Sequence, residues 1–377
     1  MNYRRFGNVD FQVSALGFGC MRLPTRGKDE DIDEPLAVEM LRYAIDHGVN
    51  YLDTAYVYHG GNSESLVGKA LAGGYRDKVK VATKLPPWSV EKTEDFDRLL
   101  NEQSARLQTE HIDFYLLHNL NRTLWPKLRD LGVVAWVEKV LADGRIGNIG
   151  FSFHDDLPVF REILDDYDGW SFCQIQYNYM GENVQAGAEG LRDAAARGLA
   201  VVVMEPLMGG VLANPPDQIS TILDGGRKRT PADWALQWLW NQEEVSVVLS
   251  GMSTMEQVRQ NVQSACRSSA GSLSAGDLER LARACEAYER LRPIPCTKCR
   301  YCMPCPNGLD IPTNLELYND AVAFKSNALS LCRNLYAGMP EDERAGACDD
   351  CKTCEPKCPQ SIEVSSWMPR VHDELTK

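Results

Sequence analysis

Nine of the 13 cysteines lie in the last quarter of this 377-residue chain, between Cys296 and Cys358. Eight of them form two runs: Cys296, Cys299, Cys302 and Cys305 before Pro306, and Cys348, Cys351, Cys354 and Cys358 before Pro359. The second run has the spacing C-x2-C-x2-C-x3-C-P. There, three thiolates wrap three corners of a 4Fe–4S cubane, and the cysteine before proline ligates a second cluster. The reading assigns Cys296, Cys299, Cys302 and Cys358 to one cluster, and Cys348, Cys351, Cys354 and Cys305 to the other. Because the first run is one residue shorter before its last cysteine, Cys332 stands in reserve for Cys305. The competing chemistry is a tetrahedral four-sulfur zinc site, which triplets followed by Cys-Pro suit poorly.

A second set of reactive types sits at the ends of strand-like runs. Apolar or β-branched runs at 13–19, 49–54, 78–84, 112–118, 147–152, 171–175, 199–205 and 245–251 read as strands buried on both faces. Their carboxyl ends carry Asp53, Lys84, His118, Ser152, Gln174, Glu205 and Ser250-Gly251. Taken singly, Asp53 is a helix cap, Lys84 a solvated strand end and His118 a satisfied core histidine. Together at consecutive strand ends they indicate a catalytic mouth. His59 and His154 flank the same ends and read as structural, as does His47 on the apolar face of its helix.

Helical periodicity fills the intervals, at 34–48, 94–107, 124–144, 187–198, 230–242 and 254–265. Thr230-Pro231 and Ser253 or Thr254 supply helix starts, and Gly48 and Gly144 supply ends. The class is α/β. Strand–helix alternation over about 250 residues predicts a closed (β/α)8 TIM barrel, whose active sites gather at the carboxyl ends of the strands. The rival is a doubly wound open sheet, which calls for a G-x-G-x-x-G turn after the first strand; none is there.

The residues also carry a resemblance. Leu52-Asp53-Thr54-Ala55-Tyr56-Val57-Tyr58, with Glu64, Gly68 and Lys69, resembles the signature of the aldo-keto reductases. Val81-Ala82-Thr83-Lys84, Tyr115-Leu116-Leu117-His118, Ile149-Gly150-Phe151-Ser152 and Gln174-Ile175-Gln176-Tyr177-Asn178 continue it in order over about residues 1–265. The resemblance implies a floor-closing hairpin near the N-terminus and a catalytic set of Asp53, Tyr58, Lys84 and His118. Reduction of a carbonyl needs a hydride on carbon and a proton on oxygen. An unperturbed tyrosine, with a pKa of about 10, is a poor proton partner at neutral pH. Lys84 is expected to lower it, with Asp53 holding Lys84 and His118 orienting the carbonyl or relaying the proton. Tyr56 is the competitor for Tyr58. The resemblance further implies a nicotinamide, NAD or NADP. Ser152 and Gln174 would meet its carboxamide; Met21, Asp53, Glu205, Leu207 and Gly209 would lie near the ring and pyrophosphate; Gly251, Ser253, Gln257 and Asn261 would hold the adenosine end. Two positions depart from the pattern: Met204 stands where a ring-stacking tyrosine is common, and Gly251 and Gln257 stand where basic residues grip a 2′-phosphate. Arg259 and Lys228 are the cations within sequence reach.

The whole chain then resembles the aldo-keto reductase subfamily with a C-terminal ferredoxin-like 4Fe–4S dicluster domain. The expected division is a barrel over 1–265, a linker helix over 266–295 and a mainly α-helical iron–sulfur domain over 296–377, with a helix over 311–331. A hydride carries two electrons and each cluster one. Hence a flavin links them, or the substrate takes single electrons, or the clusters are structural. The expected function is carbonyl/alcohol interconversion on a small molecule, with clusters serving a ferredoxin-type redox partner. The alternative is an electron-transfer or redox-sensing protein whose barrel binds a nucleotide or flavin without turnover. Trp88 and Trp125 are candidates for the pocket wall. With 40 Lys+Arg against 53 Asp+Glu, the net charge of −13 disfavours nucleic acid and anionic membranes. Neither a signal-type apolar segment nor a membrane-length one is seen. The cytoplasm, where thiols stay reduced, is the expected compartment. Oligomeric state is not legible.

Overall fold

The computed structural model describes residues 1–224, 229–324 and 329–377. Strands β1 (Tyr3–Phe6) and β2 (Val9–Ser14) form an antiparallel hairpin. Eight parallel strands follow: β3 (Leu16–Gly19), β4 (Tyr51–Asp53), β5 (Lys80–Leu85), β6 (Ile112–Leu120), β7 (Ile146–Phe153), β8 (Phe172–Gln176), β9 (Ala200–Met204) and β10 (Val245–Gly251). They pair in chain order, and β10 returns to β3 to close the barrel. The expected (β/α)8 architecture is present.

The hairpin seals the floor for a plain physical reason. Phe6 and Val13 are fully buried and share one apolar cluster with Tyr51, Phe114, Phe172 and Val247 from the barrel interior. Ring centroids of Phe6 and Phe114 lie 4.6 Å apart. Each such side chain contributes about 1.5–3 kcal/mol by leaving water. A barrel filled from below leaves only its upper end for chemistry.

The single helix expected over 124–144 is two, Leu124–Asp130 and Val133–Ala142. Gly132, with φ +81°, takes the left-handed conformation that a continuous helix forbids and starts the second.

The chain divides into two compact units: Met1–Pro206 with Ala235–Ser274, and Leu207–Trp234 with Ala275–Lys377. The excursion after β9 carries its own apolar residues, Leu212, Ile219 and Leu223, all buried. The helix Ala275–Leu291 is bonded to that excursion rather than serving as a linker: Tyr288 Oη donates to the Val211 carbonyl at 3.2 Å and Arg280 to that of Ile222 at 3.1 Å. In the same unit, the helices Ile311–Phe324, Leu329–Gly338 and Val364–Thr376 enclose a core that includes Leu315, Tyr336, Met368 and Val371. The sequence expected one helix over 311–331; two are described, on either side of residues 325–328, which lie outside the described residues. Among the described residues no helix is long and apolar enough to cross a membrane.

Candidate active site

Asp53 ends β4, and Lys84 lies on the neighbouring β5, both buried. Lys84 Nζ donates to Asp53 Oδ1 at 2.7 Å, to the Thr54 carbonyl at 2.8 Å and to Tyr58 Oη at 3.3 Å. A buried ammonium is tolerable only when paired and fully bonded, and Lys84 meets both conditions. Tyr58 opens the turn Tyr58–Gly61, in which His59 (φ +53°) and Gly60 (φ +62°) are left-handed. His59 pins this turn: its Nε2 accepts from Leu23 N at 3.2 Å, and its Nδ1 lies 2.7 Å from the Asp29 carbonyl. Tyr56 points elsewhere, donating to Glu102 at 2.8 Å under the Arg106 guanidinium.

The electrostatics of Tyr58 differ from the expectation. Burial pushes its phenol well above the ordinary tyrosine value, and Asp53, Cys20 and Glu205 add to the effect. Lys84, 3.3 Å from the phenol oxygen, is itself paired with the Asp53 carboxylate 2.7 Å away. Tyr58 is therefore held as a neutral O–H. His118, on β6, is edge-on to Tyr58 with ring centroids 6.1 Å apart. Burial, then Lys84 and His154, hold its imidazole well below the ordinary histidine value, so it too is neutral at neutral pH. Its buried Nδ1 has no hydrogen-bond partner. Trp88 covers His118 at 5.2 Å and is 42% exposed. Trp125 is no pocket wall: it is buried, with its indole N–H bonded to Asp166 at 2.8 Å.

Ser152 on β7 and Gln174 on β8 are direct neighbours in register. Ser152 Oγ accepts from Asn119 N at 2.7 Å, leaving its hydroxyl proton to donate onward. Gln174 donates to Met204 Sδ at 3.6 Å, while its buried Oε1 has no partner. One donor beside one orphaned acceptor fits a carboxamide. Buried Asp53 Oδ2 is also without a partner. Met21 lies half-buried in the turn Cys20–Arg22, and Glu205, at φ +55°, is near enough for its charge to bear on Tyr58.

The adenosine-end candidates are engaged structurally. Gln257 completes a capping box with Thr254 for the helix Met255–Ala265. Ser253 Oγ donates to the Arg22 carbonyl at 2.7 Å, and Asn261 donates to Ser250 Oγ at 2.9 Å. Gly251 lies against the Arg22 side chain. Arg259 lies over the Tyr43 ring, and Lys228 is outside the described residues. Leu207 and Gly209 belong to the second unit. A Cβ on Gly209 would stand 2.2 Å from the Thr297 carbonyl, so only glycine fits there.

In that unit Cys296, Cys299, Cys302 and Cys358 border one small cavity, open in part to solvent, walled by Ile311, Leu315, Ile362 and Val364. Burial, chiefly, pushes the Cys296 thiol up to about 11 and Cys302 to about 12, and in each case the field of Cys358 adds. Burial raises Cys354 to about 11, and Cys305 and Cys348 are among the groups that add to it. The two runs share one backbone path: Lys298 and Arg300 around Cys299, and Asp350 and Lys352 around Cys351, all have φ between 57° and 64°. Cys296 and Cys348 accept backbone N–H bonds at equivalent positions, from Lys298 and Asp350. Such left-handed wraps make the concave nests that hold iron–sulfur clusters. Among the described residues no three His, Cys, Asp or Glu side chains converge on a single metal ion. Sulfurs set around a cavity suit a polynuclear cluster better than one zinc ion. Cys332 is buried in the apolar core, where the charges bearing on it are those of Asp320 and Glu316.

Residues 15–280 match the aldo/keto reductase family. The chain belongs to that family. Residues 295–363 match a 4Fe-4S dicluster domain, so this aldo/keto reductase carries an iron–sulfur module C-terminal to its barrel in sequence. An L-galactose dehydrogenase from Arabidopsis thaliana is 28% identical over 285 residues, covering 69% of this chain and 86% of that protein. The holo form of aldo-keto reductase AKR11C1 from Bacillus halodurans superposes with a TM-score of 0.63 at 28% identity, over 75% of this chain and 96% of that one. An aldo-keto reductase from Klebsiella pneumoniae in complex with NADPH gives 0.61 at 27%, over 75% and 94%.

As a member of this family the chain is an NAD(P)-dependent oxidoreductase. Sequence reading missed three parts of its site. Arg22 beside Gly251 is a through-space neighbour 229 positions away in the chain. The Glu64–Gln103–Thr83 network beneath Lys84 looked like ordinary helix and strand polarity. The Gln185 contact of His154 joins two loops with no shared motif.

Proposed function

We propose that this aldo/keto reductase interconverts a small carbonyl and its alcohol, with Tyr58 as the proton donor. The observation that carries it is the buried Asp53–Lys84–Tyr58 chain, at 2.7 and 3.3 Å, with His118 edge-on to the phenol. Nicotinamide, when bound, supplies or accepts the hydride. His118, neutral, donates to the carbonyl oxygen and fixes its direction. Tyr58 Oη–H gives its proton to that oxygen as the carbon gains the hydride, and Lys84 stabilises the phenolate left behind. Ser152 and Gln174 orient the carboxamide, and Asp53 keeps Lys84 in place. The electron count of this step closes without the clusters.

Cys296, Cys299, Cys302 and Cys358 would hold one 4Fe–4S cluster, and Cys348, Cys351, Cys354 and Cys305 the other. Held by these residues, the clusters would supply one-electron chemistry suited to a ferredoxin-type partner.

Tyr58→Phe is expected to lower kcat by at least about a thousandfold with circular dichroism unchanged; retained turnover overturns the assignment. A second reading, an electron-transfer protein that binds nucleotide without turnover, is favoured by Gln257, whose side chain serves a helix cap instead of a ligand. Anaerobic addition of NADPH separates the two. Bleaching of the iron–sulfur absorbance with no aldehyde reduction supports the second reading; aldehyde turnover supports the first.

A further inference from the structure

We propose that His59 is a positioning residue: its imidazole ties the turn that carries Tyr58 to residues 20–33, which follow β3, and so fixes where the phenol proton stands. The inference rests on the reading of Tyr58 as proton donor given above.

The backbone gives the first sign. His59 adopts φ +53°, a left-handed conformation that strains any residue with a Cβ and that glycine takes freely. The next two residues, Gly60 and Gly61, take it at φ +62° and +93°. A turn needed only to reverse the chain would form more easily with a third glycine. Strain of this kind persists where the surroundings over-determine it, and at His59 the side chain shows what does so.

Both ring nitrogens of this buried imidazole are committed to the backbone of residues 20–33. Nε2 accepts from the Leu23 N–H at 3.2 Å, which puts the ring proton on Nδ1, and Nδ1 donates to the Asp29 carbonyl at 2.7 Å. The exposed Asp29 carboxylate stands 3.4 Å from the same nitrogen. Asn62 repeats the tie at the far end of the turn, donating to the Glu30 carbonyl at 3.1 Å. Leu23 is anchored in its turn, because the carbonyl of Arg22 before it accepts from Ser253 Oγ at 2.7 Å. From the helix Glu94–Leu107, Arg106 donates to the Tyr56 carbonyl at 3.2 Å, so the segment ahead of Tyr58 is held as well. Tyr58 shares a peptide bond with His59, and any shift of that peptide changes the 3.3 Å separation of the phenol oxygen from Lys84 Nζ. A misplacement of about 1 Å at a reacting group can cost about a hundredfold in rate.

The first test is His59→Gly, which removes the imidazole and at the same time relieves the left-handed backbone. For aldehyde reduction, kcat is expected to fall about ten- to a hundredfold, with the aldehyde KM changed less than about twofold. The alkaline limb of kcat/KM should move toward acid, because burial is the largest influence raising Tyr58 and a loosened turn admits water to the phenol. His59→Gln offers Leu23 an amide carbonyl where Nε2 stood and should recover most of kcat. His59→Asn tolerates the left-handed backbone and keeps a donor for the Asp29 carbonyl, but has no acceptor reaching Leu23; it should fall between the two. An unchanged kcat and limb in His59→Gly overturn the proposal, as does a Gln variant no better than the Asn or Gly variant. A turnover-independent arm follows backbone hydrogen exchange over residues 20–33 and 55–62. Both segments should exchange about tenfold faster in His59→Gly than in the wild-type chain, and His59→Gln should restore them. If the wild-type chain reduces no aldehyde, the reading of Tyr58 as donor fails. Exchange still decides His59: joint acceleration supports the tie, and an unaltered rate in either segment removes it.

Discussion

At Tyr58 two influences compete. Lys84 Nζ stands 3.3 Å from the phenol oxygen, yet burial and the Asp53 carboxylate keep that oxygen protonated well past the ordinary tyrosine range. Reduction needs the O–H form, which is present below the Tyr58 pKa and lost as pH rises through it. Asp53 raises that pKa, so Asp53→Asn lowers it. The alkaline limb of kcat/KM for aldehyde reduction is expected to move about one pH unit or more toward acid; a limb that stays put excludes Asp53 as its cause. The same substitution leaves a buried ammonium without its counter-charge and is expected to cost about 3–5 kcal/mol in chemical denaturation.

Secondary elements hold this site from below. Glu64, on the helix Ser63–Leu71, accepts from Thr83 on β5 at 2.6 Å and from Gln103, on the helix Glu94–Leu107, at 2.7 Å. Gln103 also donates to the Lys84 carbonyl at 3.0 Å and accepts from Tyr115 at 2.6 Å. Two helices and two strands are thus locked around the backbone of Lys84. Gln103→Leu leaves the buried Tyr115 phenol without its acceptor and takes from Glu64 Oε1 one of its two donors. The expected loss is about 2–4 kcal/mol of unfolding free energy, with a fall in kcat as Lys84 loosens. A neutral result in urea denaturation means that the network carries no net stability.

For the molecule as a whole the open question is how the cysteines are shared. If Cys358 completes the cluster built on Cys296, Cys299 and Cys302, then Cys358→Ser and Cys302→Ser should perturb the same electron paramagnetic resonance signal. Cys305→Ser should instead resemble Cys354→Ser. Each variant is expected to lose up to about half of the iron. Grouping of Cys358→Ser with Cys354→Ser would mean that each run serves its own cluster. Thiols raised toward 11 or 12 by burial bind as thiolates only by giving up protons, so metal uptake and ordering of this unit are linked.

Periodicity and spacing are local properties, and they alone determined a great deal. Apolar runs separated by helical periods specify a closed barrel, strand-end residues specify its reactive mouth, and two cysteine runs specify a cluster-bearing module. Each follows because neighbouring residues in the chain share a strand, a helix or a loop. Tertiary structure decided what depends on distance through space. It separated Tyr58 from Tyr56, gathered Cys358 with the first run around one cavity, and left Cys332 in an apolar core. It assigned Leu207–Trp234 to the unit of the cysteines. It also made burial, which no local pattern encodes, the largest influence on the Tyr58 phenol.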